Sequence, residues 1–362
     1  MDGATAGVYP DYLQLRYPKV GETNPTVKFN LLSIEDLAAG PSVIEFDSFA
    51  PEDLIIGEVA WVTDTSSHVI FRSFNRVQDQ EKLILVDTAT KSSSVVRERK
   101  TDPGWIENNL AISYIAGTNT YVDLSDESGW QHIYLYPVNG STPRAITKGK
   151  WEVASILYIN SATKTLYYTS TERNSMERHL YSIGLDGKNK KALVDDRSPG
   201  VWTASFSAGG GYYILSYNGP ELPYQKLYST KSHRTALKTI NDNAVLAGKL
   251  ANYTLPKTTW FEMQGPDGYT FNVMERLPPN FDPKKKYPVI FDPYGGPNNQ
   301  RTTKTFRQVD FRAYLASDPE LEYILLVVDN RGTGFKGRAF REVVAGQLGE
   351  LGPTLTSCSE RN

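Results

Sequence analysis

Tyr294-Gly295-Gly296-Pro297 closes a short apolar segment, Tyr287 to Phe291, that reads as a β-strand. In acyl-transfer enzymes built on a parallel sheet, the turn after such a strand supplies a hydrogen-bond donor for the oxyanion. A tyrosine hydroxyl at that place can donate to the negative oxygen that develops as a nucleophile adds to a carbonyl. The alternative is a plain Gly-Pro turn with an exposed tyrosine. Further on, Gly332-Thr333-Gly334-Phe335-Lys336-Gly337 fits G-x-G-x-x-G between a strand-like and a helix-like segment. On its own that pattern is a dinucleotide fingerprint, but it requires an acidic residue ending a second strand about 20 positions later. Glu350 stands near that distance, and the following LGPTLTSCSERN is no strand. A glycine turn leaving a sheet edge fits better, and no cofactor is expected. No G-x-S-x-G elbow occurs in the 362 residues, and His68, His132, His179 and His233 all precede residue 234. Each histidine reads as a half-buried strand or turn residue rather than a base. The single cysteine, Cys358, excludes an intrachain disulfide or a cysteine-rich zinc cluster, and no metal site is expected.

The elements that would position these residues fall into two patterns. Four segments repeat: KLILVDTATKSSSVV, HIYLYPVNGSTPRAIT, HLYSIGLDGKNKKALV and KLYSTKSHRTALKTI. Their equivalent residues Ile84, Tyr134, Tyr181 and Tyr228 are spaced by 50, 47 and 47. A period just under fifty suits a four-stranded propeller blade, whereas a β-sandwich keeps no such period. VKFNLLSIEDL reads as the outer hairpin of an earlier blade, and Trp105, Trp151 and Trp202 as packing near blade boundaries. Residues 1–250 are therefore read as propeller blades.

From residue 251 the pattern changes. TTWFEMQGPDGYTFNVMERLPP reads as a hairpin turning at Pro266-Asp267-Gly268, and KKKYPVIFDPYGG as a buried-looking strand. QVDFRAYLASDPELEY has helical spacing that breaks before Pro319. YILLVVD is a continuous apolar run, as in a strand covered on both faces. GRAFREVVAGQLGEL reads as another helix. Residues 251–349 thus open an α/β domain, and residues 350–362 form a divergent tail.

Composition limits the function. Apolar residues make up 40% and charged residues 22%, too apolar for a disordered chain. A net charge of −2 supplies no basic surplus for nucleic acid or an anionic membrane. No apolar run approaches the ~20 residues of a bilayer span, the longest being Ile324 to Val328. MDGATAGVYPDY lacks the positively charged start and apolar core of a signal peptide. Asn139 and Asn252 are glycosylation acceptors if the chain enters the secretory pathway.

The order of propeller, KKKYPVIFDPYGGP and YILLVVDNRGTGFKGRAF resembles the prolyl oligopeptidase family of serine peptidases, in its dipeptidyl-peptidase branch. RYPKVGETNPTVKFNLL, GWQHIYLYPV, ITKGKWEV, MERHLYSIGLDG and SYNGPELPYQKLYS are similar to the fungal vacuolar dipeptidyl aminopeptidase B group, over about Tyr12 to Gly349. The resemblance implies an eight-bladed propeller, present here in part, followed by the start of an α/β-hydrolase domain. It implies removal of N-terminal X-Pro or X-Ala dipeptides from peptides through an acyl-enzyme. It also implies a vacuolar-membrane protein with one anchor helix near its N-terminus, in a family open to dimerisation.

The departures are equally specific. The anchor and the first blades would precede Met1, no D-W-x-Y-E-E-like stretch supplies the Glu-Glu pair that holds the substrate's α-amino group, and the nucleophile, Asp and His would lie beyond Asn362. By position only Tyr294 carries over, as the oxyanion-hole tyrosine, while Arg331 to Gly337 carries over as a structural turn. The sequence is thus expected to be an inactive internal fragment of such an enzyme. The competing expectation is a non-catalytic propeller that binds a peptide or protein partner.

Overall fold

A computed structural model describes residues 14–265, 268–307 and 309–350. Cys358, the tail from 351 and the Pro266-Asp267 turn lie outside the described residues.

A two-stranded antiparallel sheet, β1 (Asn30–Leu31) with β2 (Ser42–Val43), comes first. Four four-stranded antiparallel meanders follow, each with its strands in sequence order. The first blade holds β3 (Ile55–Trp61), β4 (His68–Phe74), β5 (Gln80–Asp87) and β6 (Ser93–Lys100). The second holds β7 (Ser113–Tyr114), β8 (Thr120–Ser125), β9 (His132–Pro137) and β10 (Arg144–Ala145). The third holds β11 (Val153–Asn160), β12 (Thr165–Ser170), β13 (His179–Gly184) and β14 (Lys191–Ala192). The fourth holds β15 (Trp202–Phe206), β16 (Tyr212–Tyr217), β17 (Tyr224–Ser229) and β18 (Lys238–Asn241). This is a partial β-propeller. The repeat seen in the sequence has a structural meaning: Ile84, Tyr134, Tyr181 and Tyr228 each lie on the third strand of a blade. They face Phe71, Asp123, Tyr168 and Tyr213 on the second strand.

The blades stack through apolar faces created by period-two alternation, clearest in β16, where Tyr213, Leu215 and Tyr217 are buried. Val62, Ile70 and Leu83 of the first blade pack with Ile112, Tyr121 and Tyr136 of the second. Val122, Leu124 and Ile133 meet Leu166, Tyr168 and Tyr181. Tyr167 and Leu180 meet Trp202, Ala204 and Tyr213. The histidines are more buried than expected: His132 and His179 are enclosed, and His132 bonds Thr147 Oγ1 at 3.1 Å and the Gly149 carbonyl at 2.9 Å. Burial also holds the His132 imidazole below its ordinary pKa, in keeping with a packing role.

After α1 (Ala244–Leu250) comes the start of the α/β-hydrolase domain: β19 (Lys257–Gln264), β20 (Thr270–Leu277), β21 (Val289–Tyr294), α2 (Phe311–Ser317), β22 (Ile324–Asp329) and α3 (Arg338–Glu342). The sheet order is β19-β20-β22-β21, with β21 and β22 parallel and α2 in the crossover. Asp310 caps α2 by accepting from the Ala313 N–H at 2.7 Å. Two expectations are corrected here. Strand β21 is a half-exposed edge, with Val289 52% and Phe291 39% exposed, because among the described residues only β22 pairs with it. The second helix stops at Glu342 instead of running through GRAFREVVAGQLGEL, and Gly346 and Gly349 beyond it take positive φ.

Gly219, at φ 134°, brings the loop after β16 against the hydrolase segment, where the Phe306 N–H donates to the Asn218 carbonyl at 2.7 Å. A Cβ at Gly219 would lie 2.1 Å from the Phe306 nitrogen and 2.6 Å from the Thr305 carbonyl carbon. Backbone cannot yield as a side-chain tip does. Gly219→Ala should therefore cost at least the ~1–3 kcal/mol of an overpacked site, read as an earlier urea midpoint. An unchanged midpoint would show that this junction is loose.

Candidate functional site

Tyr294 is the last residue of β21 and lies opposite Asp329, the last residue of β22, in the parallel register. The carboxyl ends of parallel strands are where open α/β sheets hold their ligands. Tyr294 is half-buried, and its hydroxyl folds back over Gly296, where a Cβ would lie 2.5 Å from it. A larger residue there would have to displace the hydroxyl. The Arg301 guanidinium lies 5.5 Å from the centre of the tyrosine ring and grips Asp292, two residues earlier on the strand, through two bonds of 3.0 Å. Arg312 adds a second cation to Asp292. Asp329 accepts from the backbone N–H groups of Arg301 at 2.9 Å and Thr302 at 3.0 Å, and from the Thr302 hydroxyl. Burial pushes the Asp329 carboxyl above its ordinary pKa despite those donors.

The second strand end continues into the glycine turn that resembled a dinucleotide fingerprint. Here the turn meets the propeller instead. The Gly337 N–H donates to the Glu152 carboxylate at 2.7 Å, and the Arg338 N–H to the Gly129 carbonyl at 2.9 Å. Gly337 has φ 85°, and a Cβ there would sit 3.2 Å from both the Gly129 oxygen and the Trp130 ring. Arg178 stacks on Phe335 at 3.8 Å and donates to Gln300 Oε1 at 2.8 Å. Lys304 pairs with Glu177 at 2.6 Å. Burial pulls the Arg178 guanidinium down to about 10, with the Glu152 and Asp329 carboxylates opposing that shift. Burial likewise raises Glu152, more than the Gly337 N–H lowers it.

A chain of buried charges runs from the first blade to α3. Arg72 contacts Glu58 at 3.1 Å, Glu81 at 2.5 Å and Asp123 at 2.6 Å, and Arg97 joins Asp123 at 2.9 Å. Arg99 continues to Asp126 at 2.6 Å, and Asp126 also binds Arg341 of α3. Burial alone would raise Asp126, but Arg341 and Arg99 more than reverse it, leaving the carboxyl below its ordinary pKa. A folded-state pKa below the unfolded one means stability that is present above the unfolded value and lost as pH falls through the folded value. The stability gap between the native chain and Asp126→Asn should thus be full at neutral pH and shrink below about pH 3.8, the ordinary aspartate value. Urea unfolding of both proteins across that range reads the gap; a gap independent of pH would contradict this account.

The two glycosylation candidates are exposed. Asn139 accepts from the Ser141 N–H at 3.1 Å and hydroxyl at 2.7 Å, and Asn252 donates to the Gly248 carbonyl at 3.3 Å. Neither lies near Tyr294 in sequence or shares a contact with it. The sequence reading missed Glu152, Arg178, Arg301 and Asp329, which surround the two strand ends. No motif flags them, since each acts on a partner far along the chain or through its backbone. Trp202 is buried as expected, whereas Trp105 is half-buried and bonds Glu107 at 2.6 Å. No helix among the described residues is long and apolar enough to cross a membrane, and no cluster of metal-ligating side chains occurs among them.

Known proteins match this architecture. The dipeptidyl peptidase IV (DPP IV) N-terminal region matches residues 1–224. Dipeptidyl peptidase 4 of Arthroderma otae is 52% identical over 351 residues, covering 96% of this chain and 45% of the relative. Dipeptidyl peptidase 4 of Trichophyton rubrum is 52% identical over 349 residues, with the same coverage. The crystal structure of Porphyromonas gingivalis dipeptidyl peptidase 4 superposes with a TM-score of 0.84 at 27% identity, covering 96% of this chain and 48% of that one. The chain spans about half the length of the curated relatives it matches. With more than half its residues matched by that N-terminal region and fungal relatives at 52% identity, the chain belongs to the dipeptidyl peptidase IV family.

Proposed function

We propose that this chain forms the propeller and leading hydrolase strands of a serine-type dipeptidyl peptidase, with Tyr294 as an oxyanion donor. The observation that carries the reading is the Tyr294 hydroxyl at the carboxyl end of a parallel strand, beside a turn that the propeller grips. The 52% identity to fungal proteins named dipeptidyl peptidase 4 supports it. In the proposed reaction a serine attacks the carbonyl after Pro or Ala, second from the peptide's N-terminus. The Tyr294 hydroxyl donates to the tetrahedral oxyanion, whose collapse expels the remaining peptide's amine. The chain itself has no G-x-S-x-G and no histidine after His233, so by itself it is proposed to be inactive. The alternative reading is a non-catalytic propeller that binds a peptide or protein partner.

The narrower assignment to the vacuolar dipeptidyl aminopeptidase group is also a proposal. It places the protein at the vacuolar membrane, with Asn139 and Asn252 as luminal glycan acceptors. A fluorescent fusion of the gene product lighting the vacuolar rim is expected, and export from the cell would argue against that group.

Labelling with a fluorophosphonate probe tests the catalytic proposal. This chain alone should show no stoichiometric labelling. Joined to the C-terminal half of the Arthroderma otae relative, it should label at one serine and cleave Ala-Pro-anilide. A folded but inert joined protein would favour the binding reading, and stoichiometric labelling of the chain alone would overturn the assignment of the nucleophile.

A further inference from the structure

We infer that Glu152 and Arg178 of the third blade are positioning residues for Tyr294, acting through the turn from Asn330 to Gly337. The inference rests on the role proposed for Tyr294, which it deepens: the propeller helps to set where the oxyanion donor sits.

Among the described residues β21 pairs with β22, in parallel register up to Tyr294 and Asp329. Beyond the sheet, the segment 294–299 is tied to the next turn by three backbone bonds. The Asn330 N–H donates to the Tyr294 carbonyl at 2.8 Å, the Asn298 N–H to Gly332 at 2.9 Å, and the Gly334 N–H to Asn299 at 3.0 Å. The approach is so close that a Cβ at Gly334 would lie 2.8 Å from the Asn298 oxygen. Where the second turn goes, Tyr294 goes.

The second turn is held from the propeller. Glu152 is 4% exposed, and its own backbone is fixed by the Thr171 hydroxyl, which accepts from its N–H at 3.0 Å, and by the Thr171 N–H, which donates to its carbonyl at 2.9 Å. Its carboxylate is thus a rigid acceptor for the Gly337 N–H. Arg178 is fixed by donating to the carbonyls of Ser175 at 2.9 Å and Glu177 at 2.8 Å. From that seat it reaches both turns, stacking on Phe335 in one and bonding Gln300 beyond the other. Two propeller side chains therefore converge on the backbone that carries Tyr294. Asparagine or glutamine oxygens accept as a carboxylate does, so the geometry needs an acceptor at position 152 and not a charge.

Hydrogen exchange on the full chain reads this directly. Glu152→Ala should speed exchange at the amides of Gly337, Asn298, Asn330 and Gly334 at least tenfold, with β11 and β12 still protected. Glu152→Gln should match the native chain. A role only in blade packing predicts the reverse, faster exchange in β11 and β12 with the turns unchanged, and would overturn the inference. Should Glu152→Ala fail to fold, Arg178→Lys keeps the charge but loses the stack and the fork; it should speed the same turn amides about threefold, and no change there would overturn the inference.

Kinetics in the joined peptidase separate this from the role of Tyr294 itself. Glu152→Ala should lower kcat about tenfold with KM within twofold, Glu152→Gln should restore it, and the loss should vanish in a Tyr294→Phe background. An undiminished loss in that background would overturn the positioning role while leaving Tyr294 in the site. A Tyr294→Phe loss under threefold would remove Tyr294 from the site, and the exchange result would still decide whether Glu152 holds the turn.

Discussion

Tyr294→Phe in the peptidase made by joining this chain to the C-terminal half of the Arthroderma otae relative should lower kcat by about 10²–10³, with KM little changed. Removing one oxyanion donor typically costs roughly 2.7–4 kcal/mol of transition-state stabilisation. The substitution keeps the ring, its packing beside Arg301 and the Asn330 bond to its carbonyl, so the fold has no reason to change. The hydroxyl contributes most when charge has developed on the oxygen, which is why the loss belongs in kcat and not in KM. An exposed turn tyrosine predicts nearly equal rates. Steady-state hydrolysis of Ala-Pro-anilide by the two proteins distinguishes these outcomes.

The largest effect on stability is expected at Arg72. Its guanidinium is 1% exposed and holds three carboxylates, those of Glu58, Glu81 and Asp123, on three strands of two blades. Burial works against its charge, but Asp123 and Glu81 more than compensate, so it stays protonated far above any physiological pH. Burial also raises Asp123, which Arg72 and Arg97 then hold below its ordinary pKa. Arg72→Met fills most of the volume and leaves those buried carboxylates facing one another, with only Arg97 beside Glu81 and Asp123 and Arg99 3.8 Å from Glu81. Breaking a buried ion pair from one side costs about 3–5 kcal/mol, since the remaining charges cannot reach water. In urea the first unfolding transition should move to distinctly lower concentration, with the exposed Arg197→Met as an unshifted control. A shift equal to that of the control would show that water reaches the cluster.

Much of the architecture was legible because its signals are local. The four-blade spacing survives in single residues, Ile84, Tyr134, Tyr181 and Tyr228, since each lies on the third strand of its blade, paired with the second. The apolar run from Ile324 to Val328 announced a strand enclosed by neighbours, and β22 is that strand. Tyr294 could be found from its turn, because Tyr-Gly-Gly-Pro must end a strand and Gly296 must leave room for the ring. What could not be read depends on partners remote in sequence. Arg72 lies 51 residues from Asp123, Glu152 lies 185 from Gly337, and Arg341 lies 215 from Asp126. On its own strand Arg72 looks like any polar residue in an alternating segment, and nothing local says that a second blade will close over it. The glycine turn misled for a related reason. Its G-x-G-x-x-G serves close backbone contact, as a nucleotide loop would, but the approaching groups are Trp130 and the Gly129 carbonyl of the propeller. Strand β21 looked buried because its residues are apolar, yet among the described residues it pairs with β22 alone, and its alternate side chains are exposed.

The central claim is that the Tyr294 hydroxyl stands where the oxyanion forms. A crystal structure of the joined peptidase with a dipeptide boronic acid, proline second, tests it most directly, because the boronate formed with the serine has the tetrahedral shape of the intermediate. The account predicts the Tyr294 hydroxyl about 2.7–3.1 Å from a boronate oxygen, the donor distance an oxyanion requires. A tyrosine still folded over Gly296, beyond hydrogen-bond reach of every boronate oxygen, would contradict it.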